Sequence, residues 1–424
     1  MMTQIGWVDG LCPRVRAPAR ALSLVLLTLA LSVGCHRKGA ESAKNASGGS
    51  SGGENTEERR SAEGTGADEA AQGNAPWAAQ NDSLGGEPLP RRAPMNSKAE
   101  GPYKKGLQAA QEGDLKKAIS SFRKALDADP RSYEAAYALG VAVDRSGDEY
   151  EAVRHYQRAL EIQPDYEKAA AGIVAIRMRR GKPDEALSFI APLAQRWVRN
   201  LALQAIYGDV LVQAGGNDEA GKVAREALRR NERYAPVMVV LAKASAKRGR
   251  SELAESIIEQ GLKIDPQNAE LHYLDAQMKL EAERLQEAIK ALQEATKLRP
   301  DYAEAHMALG QLLLAGANYE EALRSFEAAA KLAPEVVSVH VNLGEAYRAL
   351  RRWKAAKASY DRALRMQANL ADVHFNLALM YLSAGAEFPG MDRLAALQQS
   401  QKEFGEYRRL AGPGSAKDDP TKPY

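Results

Sequence analysis

The chain repeats itself every 34 residues, and that period constrains its fold more than any other feature. Sliding the sequence against itself aligns Ala118, Ala152, Ala186, Ala220, Ala254, Ala288, Ala322 and Ala356. Seven residues further on stand Ala125, Ala159, Leu193, Ala227, Gly261, Ala295, Ala329 and Ala363, all but one of them small. Between these rows lies a bulkier one: Phe122, Tyr156, Ile190, Ala224, Ile258, Leu292, Phe326 and Tyr360. Steps of four and then three residues put all three rows on one face of a helix.

A further row, Leu139–Gly140, Leu241–Ala242, Leu309–Gly310 and Leu343–Gly344, marks the other helix of each period. Its small residues let two helices approach closely. Gly113, Gly147, Gly181, Gly215 and Gly249 follow the first helix, where a positive φ ends it, and Pro130, Pro164, Pro266, Pro300 and Pro334 stop the second. Each unit is therefore a helical hairpin. Composition agrees, since the 45% apolar content is carried by Ala and Leu, and 6% aromatic residues with 34 glycines do not suit alternating strands.

The succession of Leu, Gly, Tyr or Leu, Ala, an aromatic residue, Ala and Pro resembles the tetratricopeptide repeat. The resemblance runs from Ala99 to Leu370 as eight units and implies an all-α, right-handed superhelical solenoid. A partial ninth unit follows around Leu377 and Tyr381, and Phe388, Pro389 and Gly390 then interrupt the period. A last helix, Met391 to Leu410, carries Leu394, Leu397, Phe404 and Tyr407 on one side and is expected to cap the stack. The stretch Glu167–Tyr234 departs from the pattern, with Val198 and Glu232 where proline is expected.

Ahead of the repeats, a basic region ending at Arg20 precedes the apolar run Ala21–Val33, Gly34 and Cys35, which reads as an export signal over residues 1–34. Roughly thirteen apolar residues are too few to span a bilayer, which needs about 20. Small residues before a cysteine resemble the lipobox of bacterial lipoproteins, which implies diacylglycerol on Cys35; His36 after it implies the outer membrane. Ser32 stands where that motif carries an aliphatic residue, and Ser32 with Gly34 also suits an ordinary signal peptidase, leaving a soluble periplasmic protein as the alternative. Cys12 falls in the removed segment, so the mature chain has no disulfide. Residues 35–98 turn to Gly, Ser, Ala, Glu, Asn and Pro, a composition that cannot bury enough surface to fold. About 63 such residues form a tether with a typical reach on the order of 45 Å. Residues 411–424 are expected to be a disordered tail.

The formal charge of +3 falls to about +1 once the signal is removed, so nucleic acid is not the implied partner. No phosphate-cradling glycine motif and no nucleophile spacing stands out. His272, His306, His340 and His374 recur every 34 residues. Neighbouring helices lie about 8–10 Å apart while zinc holds its ligands near 2 Å, so packing rather than metal is expected of them. The acidic pairs Asp218–Glu219 and Glu320–Glu321 begin second helices, where they suit the helix dipole. The sequence thus implies no enzyme, no cofactor, no metal and no small-molecule substrate.

Binding remains. The resemblance implies that first helices line a concave groove for a peptide, presenting Tyr103, Tyr137, Tyr273 and Phe375 as flat apolar contacts. Its polar contacts would be Asp144, Arg145, Arg179, Asp209, Gln213, Lys243, Lys247, Gln277, Glu281, Gln311, Glu345 and Arg348. A basic patch is expected from Arg177, Arg179, Arg180, Arg229, Arg230 and Arg233, since basic residues outnumber acidic ones about two to one between Glu167 and Arg250. The Lys and Asn set by which some relatives clamp a terminal carboxylate is not present. The layout of lipobox, spacer and long array resembles lipoproteins of bacterial gliding motility complexes, which implies an outer-membrane scaffold for envelope proteins. A pilotin-like factor for a pilus secretin and a peptidoglycan-binding adaptor are the alternatives.

Overall fold

The computed structural model describes residues 85–412; the signal segment, Cys35, most of the tether and residues 413–424 lie outside the described residues. Among the described residues the regular structure is helical, with eighteen α-helices and no strand. In chain order they are α1 (Ser97–Gln111), α2 (Leu115–Ala128), α3 (Tyr133–Arg145), α4 (Glu149–Ile162), α5 (Glu167–Arg179) and α6 (Pro183–Arg196). Next come α7 (Leu201–Gln213), α8 (Asn217–Arg230), α9 (Ala235–Lys247), α10 (Ser251–Ile264), α11 (Ala269–Glu281) and α12 (Leu285–Leu298). The last six are α13 (Ala303–Ala315), α14 (Tyr319–Leu332), α15 (Val337–Ala349), α16 (Trp353–Met366), α17 (Ala371–Ala384) and α18 (Arg393–Ala411). Consecutive helices pack as hairpins, α1 on α2 and α3 on α4, then each pair from α7–α8 to α17–α18.

By contacts the chain divides into two compact units. The first holds, among the described residues, Gly85 and Ala175–Lys182, where Arg180, Gly181 and Lys182 donate backbone N–H groups to Ile176, Met178 and Arg177 and close the end of α5. The second comprises residues 86–174 and 183 onward.

Every first helix from α1 to α15 ends the same way: a backbone N–H reaches back five residues, as from Asp114 to Ala109 and from Arg352 to Tyr347, around a residue with positive φ. Gly113, Gly147, Gly181, Gly215 and Gly249 hold that place with φ between 68° and 96°, and Gly tolerates it without steric cost. Three periods put a side chain there: Glu283 and Ala317 at φ 58° and Arg351 at 56°. Replacing Glu283, Ala317 or Arg351 by Gly is expected to raise stability by about 0.5–1 kcal/mol each, because relief of left-handed strain exceeds the entropy glycine loses. Urea midpoints check this.

The alanine row is wholly buried, Ala118 to Ala356 each at 0% exposure. In most hairpins the bulky residue of the second helix sits over a small residue of its own first helix, and the sizes compensate. Phe122, Tyr156, Phe326 and Tyr360 lie against Gly106, Gly140, Gly310 and Gly344, where a Cβ would press into the ring. Ala242 and Ala276 hold the equivalent place where the partner residue is only Ile258 or Leu292. In the fourth hairpin both members are small, Gly208 and Ala224, and Val240 from the next hairpin occupies the space over Gly208.

Three expectations are corrected. Leu193 is only half-buried and Ala194 takes the covered place at 1% exposure; Pro192, which has no N–H to give Ser188, sits just ahead of it inside α6. On α18, Leu394 and Leu397 are 64% and 42% exposed. The contact face of that helix is Ala396, Ser400 and Phe404, fixed by the Ser400 hydroxyl donating to the Ala378 carbonyl at 2.9 Å. Finally, order begins before Ala99. Asn96 caps α1 by accepting from Lys98 and Ala99 N–H groups, and the extended residues ahead of it rest on the repeats.

Candidate functional site: the first-helix face

Two polar ladders run along the first helices at the 34-residue period. The outer one, Arg145, Gln213, Lys247 and Glu281, is exposed at every rung, and Arg179 of the first unit, at the same place in the period, is exposed as well. The inner one, Asp209, Lys243, Gln277, Gln311 and Glu345, is exposed only at Gln311 and half-buried elsewhere.

Two rungs of the inner ladder, Asp209 and Lys243, are joined in a helix-to-helix ion pair. The Lys243 ammonium on α9 donates to Asp209 on α7 at 2.7 Å and to Glu270 on α11 at 2.5 Å, so one cation joins three successive first helices. Burial pulls its pKa down, but the two carboxylates outweigh burial and the net shift is upward. Gln213 donates to the other Asp209 oxygen at 2.6 Å. These groups therefore serve the array's cohesion as well as any ligand. Further along, burial holds the Glu345 carboxyl above its usual range, with Arg348 pulling the other way. On the same helix, Asn342 Nδ2 and Arg348 Nε are buried with no hydrogen-bond partner.

The four aromatic residues pack within their own hairpin or against the turn that follows it more than they stand as open platforms. Tyr103 tilts against Phe122 at 5.7 Å, and Tyr137 lies between Tyr156 at 5.8 Å and Tyr166 at 5.5 Å. Tyr273 meets Tyr302 at 5.1 Å, and Phe375 meets Phe404 and Tyr407 at 5.9 and 5.2 Å. Burial raises the phenol pKa of Tyr103, Tyr137 and Tyr273. Sequence reasoning missed the turn residues Tyr166 and Tyr302 that complete these clusters, although both recur at the same place in the period.

The histidines hold turns. His272, His306 and His340 each place Nε2 about 3 Å from the carbonyl of the proline six residues earlier, Pro266, Pro300 and Pro334. His374 instead pairs with Glu403 of α18 at 2.7 Å. No group of three or more metal-ligating side chains is gathered among the described residues.

Within the basic stretch, Arg229 and Arg230 both converge on Glu226, at 2.9 and 3.0 Å, so one carboxylate answers two guanidinium groups. Arg233 is exposed. Arg177, Arg179 and Arg180 belong to the end of α5 and its turn, and each has an interaction of its own. No described helix is long and apolar enough to cross a membrane.

Consecutive helical pairs with small-residue seams, left-handed turn residues and an exposed polar ladder define a helical-repeat scaffold, a class that works through its surface. The chain belongs to the tetratricopeptide repeat family: models described as tetratricopeptide repeat match residues 103–167, 211–278, 273–337 and 341–387. Such repeats are scaffolds of protein–protein interaction. No curated protein matches the chain. Among solved structures, a tetratricopeptide repeat protein from Parabacteroides merdae is similar at 18% identity and a TM-score of 0.46, over 59% of this chain and 99% of that one. The APC/C hetero-tetramer Cut9–Hcn1 is similar at 17% identity and 0.45, over 79% and 80%. MamA from Desulfovibrio magneticus is similar at 19% and 0.37, over 44% and 97%.

Proposed function

We propose that this chain is a non-enzymatic scaffold of the cell envelope, held at the outer membrane through Cys35 and binding segments of partner proteins along its first helices. The observation that carries the binding reading is the outer polar ladder. Arg145, Gln213, Lys247 and Glu281 remain exposed at multiples of the 34-residue period on helices whose opposite faces are buried. Multiple equivalent rungs suit an adaptor that holds several segments at once. The layout of signal, spacer and array supports an assembly of the gliding motility kind.

A photo-crosslinking residue placed in cells at Lys247 or Gln311 is expected to capture a consistent set of envelope proteins, while one at Lys290 on α12 captures none. Equal capture from all three positions would remove the first-helix face from the account. In the same cells, Cys35→Ala is expected to release the protein from the outer-membrane fraction; a variant that fractionates like wild type would end the anchoring proposal.

A further inference from the structure

Residues 86–96 read Gly-Glu-Pro-Leu-Pro-Arg-Arg-Ala-Pro-Met-Asn, a segment with three prolines that the composition assigns to the tether. Instead it lies as an extended strap along the turns that lead from second helices into the next first helices. At its end, the Asn96 N–H donates to Asp129 at 2.8 Å and its side-chain amide to the Ala128 carbonyl at 3.0 Å. Further back, the Arg92 guanidinium pairs with Glu167 at 2.7 Å and stands 5.6 Å from the Tyr166 ring centre. Gln163 donates to the Pro90 carbonyl at 3.3 Å, and Glu87 reaches Arg196 at the end of α6 at 3.4 Å. Gly86 rests so close on Val198 that no Cβ could be added there.

The receiving turn is built for this. Gln163 and Asp165 are 4% and 1% exposed, and Gln163 is held by Asp165 at 2.6 Å, which leaves its amide aimed at the strap. Tyr166 is wedged edge-on against Tyr133 at 4.8 Å. The repeat itself supplies a control. Four periods later Arg299 stands in the place of Gln163, and its own guanidinium lies 3.3 Å over the Tyr302 ring. Where the turn brings its own arginine the ring is satisfied locally; where it carries glutamine, an arginine comes from a distant segment.

We infer that the turn between α4 and α5 is a docking site for an extended, proline-rich segment bearing an arginine, and that residues 86–96 fill it in cis. The site adjoins the first-helix face through Tyr166, whose ring also meets Tyr137. Prolines preorganise the strap, so docking loses little chain entropy. Eleven extended residues span up to about 36 Å. Within the second unit the strap therefore runs from the turn between α6 and α7 to the start of α1.

Trypsin cleavage after Arg91 and Arg92 in the full chain tests this. Both bonds are expected to be cut at least tenfold more slowly than in a synthetic peptide of residues 85–97. Glu167→Gln, Arg92→Gln and Gln163→Arg, the last supplying a local guanidinium as Arg299 does, should each bring the rate at Arg91 back toward that of the peptide, with the helix melting curve unchanged. Arg92→Gln alters no repeat residue and decides the matter if a turn variant misfolds. Cleavage of wild type at the peptide's rate, or a rate indifferent to all three substitutions, would overturn the proposal. So would protection that vanishes on dilution, which would put the strap of a second copy in the site.

Discussion

Truncation of Phe326 to alanine is expected to cost about 3–5 kcal/mol, the range for emptying a fully buried aromatic site that cannot collapse. Phe326 is 0% exposed, and its ring fills the space above Gly310. The helices around it are held at fixed separation by the buried residues Ala322 and Ala329 on the same face, so the cavity stays open. Because a repeat array is held together by nearest neighbours, the damage should be local. Hydrogen exchange followed by mass spectrometry is expected to show α13–α16 opening well before α1–α4. Uniform acceleration along the chain would mean that the array unfolds as one cooperative block.

The second large effect runs the other way in volume. Gly344→Ala adds one methyl group to a position where a Cβ would penetrate the Tyr360 ring, and Tyr360 is itself 0% exposed with no room to retreat. Overpacking of this kind costs about 1–3 kcal/mol. The remedy is written elsewhere in the same chain, where Ala276 faces Leu292 and Ala242 faces Ile258. The double variant Gly344→Ala with Tyr360→Leu is accordingly expected to recover most of the loss, giving a coupling energy of the size found between contacting residues. Denaturant titration of the four members of the cycle measures it. Additive losses would show that the two positions do not share one space.

The period made most of the fold legible. Rows of alanine 34 residues apart, glycine after one helix and proline after the other fix helix boundaries locally, because φ > 0 and a missing N–H act on the chain wherever it is. The same logic failed where a tertiary partner chooses the face. Leu394 and Leu397 read as the buried side of α18, yet Ala396 and Ser400 fit against α17 and the leucines stay outside. Helical spacing names candidate faces; only the shape of the neighbour selects one.

The site shows the same division. The polar groove contacts were legible through the family resemblance, but nothing in one sequence said that Lys243 would be shared between Asp209 and Glu270, 34 and 27 residues away. Similarly, the composition of residues 86–96 is that of a segment without a core of its own, and composition carries no record of a surface that could receive it. The amino-acid sequence alone determined the repeat, its helical pairs and the family, since each follows from local backbone chemistry repeated many times. The tertiary structure alone decided which polar groups are consumed in joining hairpins, which leucines face water and where the tether is held, because these depend on distances between residues that the chain brings together only on folding.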